Sequence, residues 1–237
     1  MRKLLLTIAV VCSFIGILPA QYYLVEKFSL SATGKDYGIF ADINAIKEQA
    51  PYQYMHIDMD SPNSKQEVKL EICYGTDQSK YAINIFIESL SKTKDYFKRW
   101  SLIAKENNMK LIKFKIPVRF SDQKIYFTQD GKWYSERGVD MQAFFYVDRS
   151  GDCYIVLESD YMTSKAVVAE SSSFSYSMSG GAILGFGGSS GRVVAEKYCS
   201  GSSLVFSSEK EIEDFIDALN KAVQWKRQNL EFGKLLK

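Results

Sequence analysis

The sequence is poor in proline, cysteine and histidine, and its charges nearly balance. Its 237 residues include four prolines, 15 glycines, four cysteines and one histidine, with 30 basic against 28 acidic residues. So few prolines and glycines exclude a collagenous or low-complexity chain. The apolar share of 46% is too high, and the net charge of +2 too low, for disorder along the whole length. The composition therefore predicts a globular protein.

The cysteines form no CxxC pair, which argues against a zinc ribbon and a thioredoxin-like redox motif. Cys12 lies in the apolar run near the N-terminus, and Cys73, Cys153 and Cys199 lie in the body of the chain. These three are expected to be ordinary buried or strand-face thiols. The alternative is one disulfide, Cys73–Cys199 or Cys153–Cys199, which would leave one thiol over.

The first 20 residues have the layout of a secretory signal peptide. Met1-Arg2-Lys3 is a short basic start, the stretch from Leu4 to Leu18 is almost wholly apolar, and polar sequence begins after Ala20. The apolar stretch is shorter than the ~20 residues that a membrane-spanning helix needs. Cleavage after Ala20 is expected, which predicts a secreted or periplasmic protein, and an uncleaved membrane anchor is the alternative. No spanning helix is expected after removal of the signal peptide.

Removal of the signal peptide also removes Arg2 and Lys3, which leaves 28 basic residues against 28 acidic ones. A general nucleic-acid binder needs a surplus of cations to neutralise phosphates. The formally neutral mature chain lacks that surplus. We therefore do not expect DNA or RNA as partners.

Alternation of apolar and polar residues predicts a strand-rich body. Asp130-Gly131 and the loop 148–152 each separate two such stretches and predict hairpins. Pro117 cannot donate to a strand ladder, which predicts an edge strand or a bulge at that position. The predicted strands cover 22–30, 54–60, 67–74, 81–87, 112–120, 125–128, 133–135, 141–147, 153–159, 167–178 and 192–199.

Two segments change to helical periodicity. The first covers 91–107 and ends at Asn107-Asn108, and the second begins with a capping box formed by Ser208 and Glu211. A third, short helix is predicted after Asp42 and would end at Pro51. The residues expected to be buried are Tyr96, Phe97, Trp100, Ile103 and Ala104 in the first helix and Ile212, Phe215, Ile216, Leu219, Ala222, Val223 and Leu230 in the second.

These elements predict an α+β fold, with a mainly antiparallel β-sheet and two amphipathic helices, the second of them C-terminal. The order of elements is also similar to a pleckstrin-homology-like layout, a comparison that carries no activity. The expected organisation is a signal peptide over 1–20, an irregular N-terminal segment over 21–66 and a single α+β domain over 67–230.

The sharpest chemical pattern lies on the predicted strand 54–60. His56, Asp58 and Asp60 occupy one face of it, and alternate side chains of a strand project in parallel. An imidazole and two carboxylates are suitable ligands for one divalent metal ion, which gives the hypothesis of a metal-assisted hydrolase. The alternative interpretation is the solvated face of an edge strand, where charge discourages association.

A glycine-rich loop over 180–191 has an apolar tip formed by Ile183, Leu184 and Phe186. Its Gly187–Gly191 stretch matches the GxSxG pattern of serine hydrolases, but a strand is predicted after it where that motif needs a helix. The only histidine also precedes the motif instead of following it. We therefore interpret the tip as a partner-docking loop, with a flexible or self-packed loop as the alternative.

Two further groups of side chains have a weaker pattern. Lys113, Lys115 and Arg119 form a basic strand face, which is expected to be solvated rather than anion-binding. Trp133 and Trp225 are able to stack on sugars, so a carbohydrate-binding module is a third functional hypothesis.

The Pro19-Ala20-Gln21 end of the signal peptide, the neutral strand-rich body and the Phe-Ser-Ser-Glu-Lys-Glu-Ile stretch at 206–212 resemble uncharacterised exported proteins of Bacteroidetes-type bacteria. The resemblance extends over 67–227, implies residence in the periplasm or cell envelope, and supplies no catalytic residue. Because no catalytic motif is intact, the leading hypothesis is a non-enzymatic binding or interaction protein of the cell envelope. It would have a protein or glycan partner and no cofactor.

Overall fold

The computed structural model describes residues 22–42, 53–74, 77–120, 123–167 and 194–235. Four predicted features lie wholly or almost wholly outside the described residues: the signal peptide, the short helix after Asp42, the strand over 167–178, and the loop that carries Ile183, Leu184 and Phe186. Within the described ranges, no helix is long and apolar enough to cross a membrane.

Strands dominate the described chain, and helices follow β4 and β12. The hairpins predicted at Asp130-Gly131 and at 148–152 are confirmed. In chain order the elements are β1 (Tyr22–Leu30), β2 (Lys35–Asp42), β3 (Gln53–Met59), β4 (Val68–Tyr74), α1 (Asp77–Glu106), β5 (Ile112–Lys115), β6 (Gln123–Gln129), β7 (Lys132–Val139), β8 (Met141–Val147), β9 (Cys153–Ser159), β10 (Met162–Val167), β11 (Val194–Cys199), β12 (Ser202–Phe206) and α2 (Glu209–Leu235).

The strands form three antiparallel sheets. The largest has the order β1-β2-β3-β4-β6-β7, the second has the order β12-β9-β8-β5, and β10 pairs with β11. Asp60 and Ser203 join the first two sheets, because each backbone amide donates to the other residue's carbonyl at 3.0 and 2.9 Å. The predicted α+β fold with mainly antiparallel pairing and a second, C-terminal helix is confirmed. The pleckstrin-homology-like layout stays a prediction.

The described part of the segment 21–66, which we expected to be irregular, contains β1, β2 and β3. These strands hydrogen-bond in one sheet with β4, β6 and β7, so the sheet crosses the boundary expected at residue 67. The strands predicted over 22–30 and 54–60 are present as β1 and β3, whereas the sequence predicted no strand at β2. Which sheet these strands join depends on pairing with distant residues, which a single sequence does not reveal.

The strand predicted over 81–87 is wrong, because this stretch lies inside the helix α1. Alternating isoleucines suggested a strand, since β-branched residues favour strands. The residues buried most deeply are instead Ile83, Phe86 and Leu90, which have helical spacing. Burial of that stripe outweighs the local preference of the isoleucines. The helix ends next to Asn107-Asn108, as predicted.

The helix α2 begins at the predicted capping box. The backbone amide of Glu211 donates to Ser208 Oγ at 3.2 Å. The Glu211 carboxylate accepts hydrogen bonds from the amides of Ser207 and Ser31, at 2.6 and 2.8 Å. The capping box had predicted the Ser208 amide as the donor to this carboxylate. Burial raises the pKa of Glu211, but these hydrogen bonds outweigh burial and hold it below its usual value. The cap therefore also joins α2 to the β1–β2 turn.

The core lies where the two helices pack against the two larger sheets. The predicted stripe of α2 is buried except for Ile216, which is half-buried, and Leu230, whose side chain is not described. The largest fully buried side chains are Phe86, Phe120, Phe127, Phe206, Phe215, Lys226, Leu30, Ile39, Met55, Ile57, Leu70 and Ile72.

The turn between β11 and β12 requires glycine at position 201. Gly201 has a φ of +123°, and a Cβ added there would lie 2.9 Å from the Ser159 carbonyl oxygen. We expect Gly201→Ala to lower the free energy of unfolding by about 2 to 3 kcal/mol, from backbone strain plus the contact. Gly131→Ala is the matched control, because Gly131 also has a positive φ but open space around it. It should cost about 1 kcal/mol by urea denaturation, and equal losses in the two variants would contradict the steric argument.

Candidate functional site

A row of polar side chains crosses one face of the six-stranded sheet. His56 on β3 lies opposite Glu71 on β4, Glu71 lies opposite Lys124 on β6, and Lys124 lies opposite Arg137 on β7. Residues directly opposite each other in antiparallel strands place their side chains on the same face. Of these four, only His56 was a predicted site residue. The other three belong to the row through strand register, which a single sequence does not reveal.

His56 is buried inside this row. The interpretation of its strand as a solvated edge is wrong, because β3 lies between β2 and β4 and the His56 side chain is 3% exposed. Burial lowers the pKa of His56, the cations of Lys226, Lys69 and Lys124 act in the same direction, and together they bring it to about 3. The imidazole is therefore neutral at neutral pH. Its Nε2 lies 3.7 Å from Glu71 Oε2, too far for a hydrogen bond.

Glu71 is held by its neighbours on β6. Burial raises the pKa of Glu71, while the Lys124 ammonium and the Tyr126 hydroxyl act in the opposite direction. The Tyr126 hydroxyl donates to Glu71 Oε2 at 3.0 Å, and Lys124 Nζ lies 3.6 Å from Glu71 Oε1. Nearby, Lys226 of α2 is fully buried and donates to the Tyr54 carbonyl at 2.7 Å. Glu71 is thus held by a hydrogen bond from Tyr126 and by the nearby Lys124 ammonium.

The two aspartates of the metal hypothesis each contact a cation. Asp58 accepts from the Lys69 ammonium and from the Gly38 amide, the latter at 3.1 Å. Asp60 accepts from Lys35 at 2.7 Å and from the hydroxyl of Tyr37. The described ranges contain no group of three or more histidine, cysteine, aspartate or glutamate side chains that could hold a metal ion. The metal site formed by His56, Asp58 and Asp60 stays a prediction.

A shallow polar depression of about 280 Å³ lies beside the row. It forms next to a bulge, because the register of β6 and β7 shifts at Gln123 and Gly138 adopts a φ of +71°. Cys73 contributes to its lining, and Cys153 and Cys199 are free thiols. The lining residues are Tyr54, Glu71, Cys73, Gln123, Lys124, Arg137 and Gly138.

A second depression, the α1–β5 groove, is apolar. Its volume is about 280 Å³, and it lies between the end of α1 and the strand β5. Of the ten large apolar side chains that are exposed in the described ranges, five come from residues 102–114. The groove is lined by Trp100, Ile103, Met109, Ile112, Phe114, Lys115 and Phe145.

The groove exists because, among the strands that the structure describes, the four-stranded sheet ends at β5. Ile103 belongs to the apolar stripe predicted to be buried, yet it is 46% exposed. Phe114 belongs to the apolar face of the strand predicted over 112–120, yet it is 55% exposed. The strand itself stops at Lys115, two residues before Pro117, and the predicted edge position is confirmed. No described element covers either side chain.

The turn from α1 to β5 presents more apolar surface beside the groove. The Met109 amide donates to the Ala104 carbonyl at 2.9 Å, which closes the helix with Asn108 in the left-handed conformation at a φ of 51°. Leu111 also has a positive φ, 55°, and its side chain is 64% exposed. This conformation costs a branched residue about 1 to 2 kcal/mol. The turn is therefore strained at the point where it exposes a leucine.

Basic residues surround the groove. Residues 105–119 contain five lysines and arginines and one acidic residue, in a chain whose charges otherwise balance. Lys113 pairs with Glu158 at 2.8 Å on the outer face of the sheet. Lys110 and Lys115 form no ion pair with any residue that the structure describes.

The tryptophans of the carbohydrate hypothesis lie on different elements. Trp133 is exposed beside the β6–β7 turn. Trp225 on α2 stacks on Tyr23 with ring centroids 5.1 Å apart, which covers one face of the indole. A free aromatic platform is therefore present at Trp133 but reduced at Trp225.

The described part of the chain thus combines a polar row on the six-stranded sheet with an apolar groove that no described residue covers. Comparison of the chain with family models, curated proteins and solved structures finds no match.

Proposed function

We propose that this protein is a non-enzymatic binding protein of the cell envelope and that a polypeptide partner docks in the α1–β5 groove. The observation that carries the proposal is the concentration of exposed apolar side chains in residues 102–114. Contiguous apolar patches on soluble proteins mark interaction sites, because water is an unfavourable neighbour for them. Ile103 and Phe114 are exposed and both line the groove.

The lining favours a polypeptide over a glycan or a drug-sized molecule. Six of the seven lining residues are apolar, so the groove offers few partners for sugar hydroxyls. Its volume of about 280 Å³ is slightly below the roughly 300–1,000 Å³ of pockets for drug-sized ligands. A few apolar side chains of a protein partner fit this size and chemistry.

The metal-assisted hydrolase has less support. His56 is only 3% exposed, which leaves a metal ion little access to its imidazole. Asp58 and Asp60 are each engaged by a lysine ammonium. Export to the cell envelope is supported by the signal-peptide layout of residues 1–20 and by the resemblance to exported proteins.

Selection of peptides from a phage-displayed library on the purified protein tests the proposal. We expect ligands that bind the wild type and bind the Ile103→Ser/Phe114→Ser double variant at least about tenfold more weakly, because two apolar contacts are lost. Affinities are measured by titration calorimetry with the synthesised peptides.

The matched control is Tyr161→Ser/Tyr198→Ser, which removes two exposed aromatic side chains that stack on each other elsewhere on the surface. It should bind the selected peptides like the wild type. Docking at the groove would be contradicted if the peptides bound the groove variant with the affinity of the wild type. It would also be contradicted if the control variant lost as much affinity as the groove variant.

A further inference from the structure

We infer that the α1–β5 groove takes an extended segment of its partner, which adds to β5 as a fifth strand and alternates apolar with acidic residues. The inference rests on the proposed function and specifies the binding mode and the partner's chemistry. It is drawn from three features of β5: its backbone, its inner face and its outer face.

The backbone of β5 offers unused hydrogen-bonding groups. β5 is the last strand of its sheet in the described chain and pairs only with β8 there. The Ile116 amide donates to the Ala143 carbonyl, and hydrogen-bonded pairs alternate along an antiparallel ladder. The amides and carbonyls of Lys113 and Lys115 therefore point away from β8 to the open edge. They are able to form about four backbone hydrogen bonds with an added strand, as in other strand-addition complexes.

The inner face of β5 requires apolar side chains from the added strand. Phe114 faces α1, with its ring centroid 6.4 Å from that of Trp100. A fifth strand would lie about 4.8 Å beyond β5. Every second side chain of it would then cover Phe114, Ile103 and Met109, which are now exposed. This covering extends the core by one strand.

The outer face of β5 selects acidic residues. Lys113 and Lys115 project on the face opposite Phe114, and opposite charges on neighbouring strands attract while like charges repel. Lys115 has no ion pair with a described residue, and Lys110 adds charge at one end of the strand. A second copy of this chain is a poor occupant, because pairing two β5 edges would bring their lysines together.

The probe is a synthetic ten-residue peptide in which glutamate alternates with isoleucine or phenylalanine. One comparison peptide has the same composition with all glutamates in one block, and another has lysine in place of each glutamate. We expect the alternating acidic peptide to bind at least about tenfold more tightly than either comparison peptide. On binding, amide hydrogen exchange measured by NMR should slow by at least about tenfold at Lys113 and Lys115, because new hydrogen bonds protect these two amides.

A charge variant tests the outer face. We expect Lys115→Glu to weaken binding of the acidic peptide by about fivefold, because a favourable cross-strand pair becomes a repulsive one. Lys132→Glu is the matched control, since Lys132 is also an exposed strand lysine without an ion pair among described residues. Equal weakening by the two variants would overturn the assignment of acidic residues to the outer face.

The outcomes separate this inference from the proposed function. One outcome is a peptide that fails to bind the Ile103→Ser/Phe114→Ser variant and yet, on binding the wild type, leaves amide hydrogen exchange at Lys113 and Lys115 unchanged. That result overturns strand addition, while docking in the groove stands. If the two amides become protected without peptide as the protein concentration rises, a second copy is the occupant and the inference is overturned. Failure of the alternating peptide to bind overturns it as well, while library-selected peptides decide the proposed function.

Discussion

Replacement of Phe215 by alanine is expected to lower the free energy of unfolding by about 3 to 5 kcal/mol. Phe215 is fully buried on α2, and its ring contacts three other aromatic rings. The centroids of Phe28, Phe206 and Phe86 lie 4.4, 5.8 and 6.4 Å away. These residues belong to β1, β12 and α1, so the cavity would open where both larger sheets and both helices meet. Urea denaturation measures the loss.

Two further variants make this prediction sharper. Phe215→Leu keeps most of the apolar surface and should cost only about 1 to 2 kcal/mol, which keeps the measurement possible if the alanine variant does not fold. Tyr161→Ala removes an exposed ring and should change stability by no more than about 0.5 kcal/mol. If Phe215→Ala lowered the free energy of unfolding no more than the surface control, the aromatic rings would not join the two larger sheets to the two helices.

The second large effect concerns pH and comes from His56. Its pKa is about 3 in the folded protein and about 6.5 in the unfolded chain, so the unfolded chain binds the proton more tightly. The contribution of the neutral imidazole to stability is therefore complete above about pH 6.5 and is lost as the pH falls toward 3. The slope approaches about 1.4 kcal/mol per pH unit.

The groups that face His56 also affect how the free energy of unfolding changes with pH. The neighbours of His56 are Glu71 and Lys69 on β4, Lys124 and Tyr126 on β6, and Lys226 on α2. The raised pKa of Glu71 acts with the opposite sign, because the folded protein then binds that proton more tightly than the unfolded chain does. Glu71 therefore offsets part of the loss due to His56 as the pH falls.

Comparison with His56→Gln isolates the imidazole, since His56 is the only histidine of the chain. From about pH 6.5 to about pH 5, the wild type should lose about 1.5 kcal/mol more stability than the variant. Urea denaturation at several pH values measures both profiles. Parallel profiles would mean that burial does not depress the pKa of His56.

The sequence predicted the elements whose local patterns agree with their environment. Asp130-Gly131 predicted a hairpin because its turn chemistry is local. Ser208 predicted the start of α2 because a cap involves residues within one turn of each other. The failures came where local patterns were ambiguous. The isoleucines at 83, 85 and 87 suggested a strand until the burial of Phe86 and Leu90 on one helix face decided for α1.

For the candidate sites as well, the sequence predicted some features, and others depended on contacts between distant residues. The sequence marked His56 as a candidate metal ligand, but it gave Ile103 and Phe114 only as residues of an apolar helix stripe and an apolar strand face. Their exposure depends on where the four-stranded sheet ends, which is a property of strand order.

By itself, the sequence determined the α+β class, most strand positions, the cap of α2 and the alternation that orients side chains on each strand. Only the tertiary structure decided which strands are neighbours and in what register. It thereby joined His56 to Glu71, Lys124 and Arg137, and it left the edge of β5 open. The physical reason is that alternation and capping act between residues close in the chain. Pairing and burial depend on contacts between distant residues, which many registers of the same strands could satisfy.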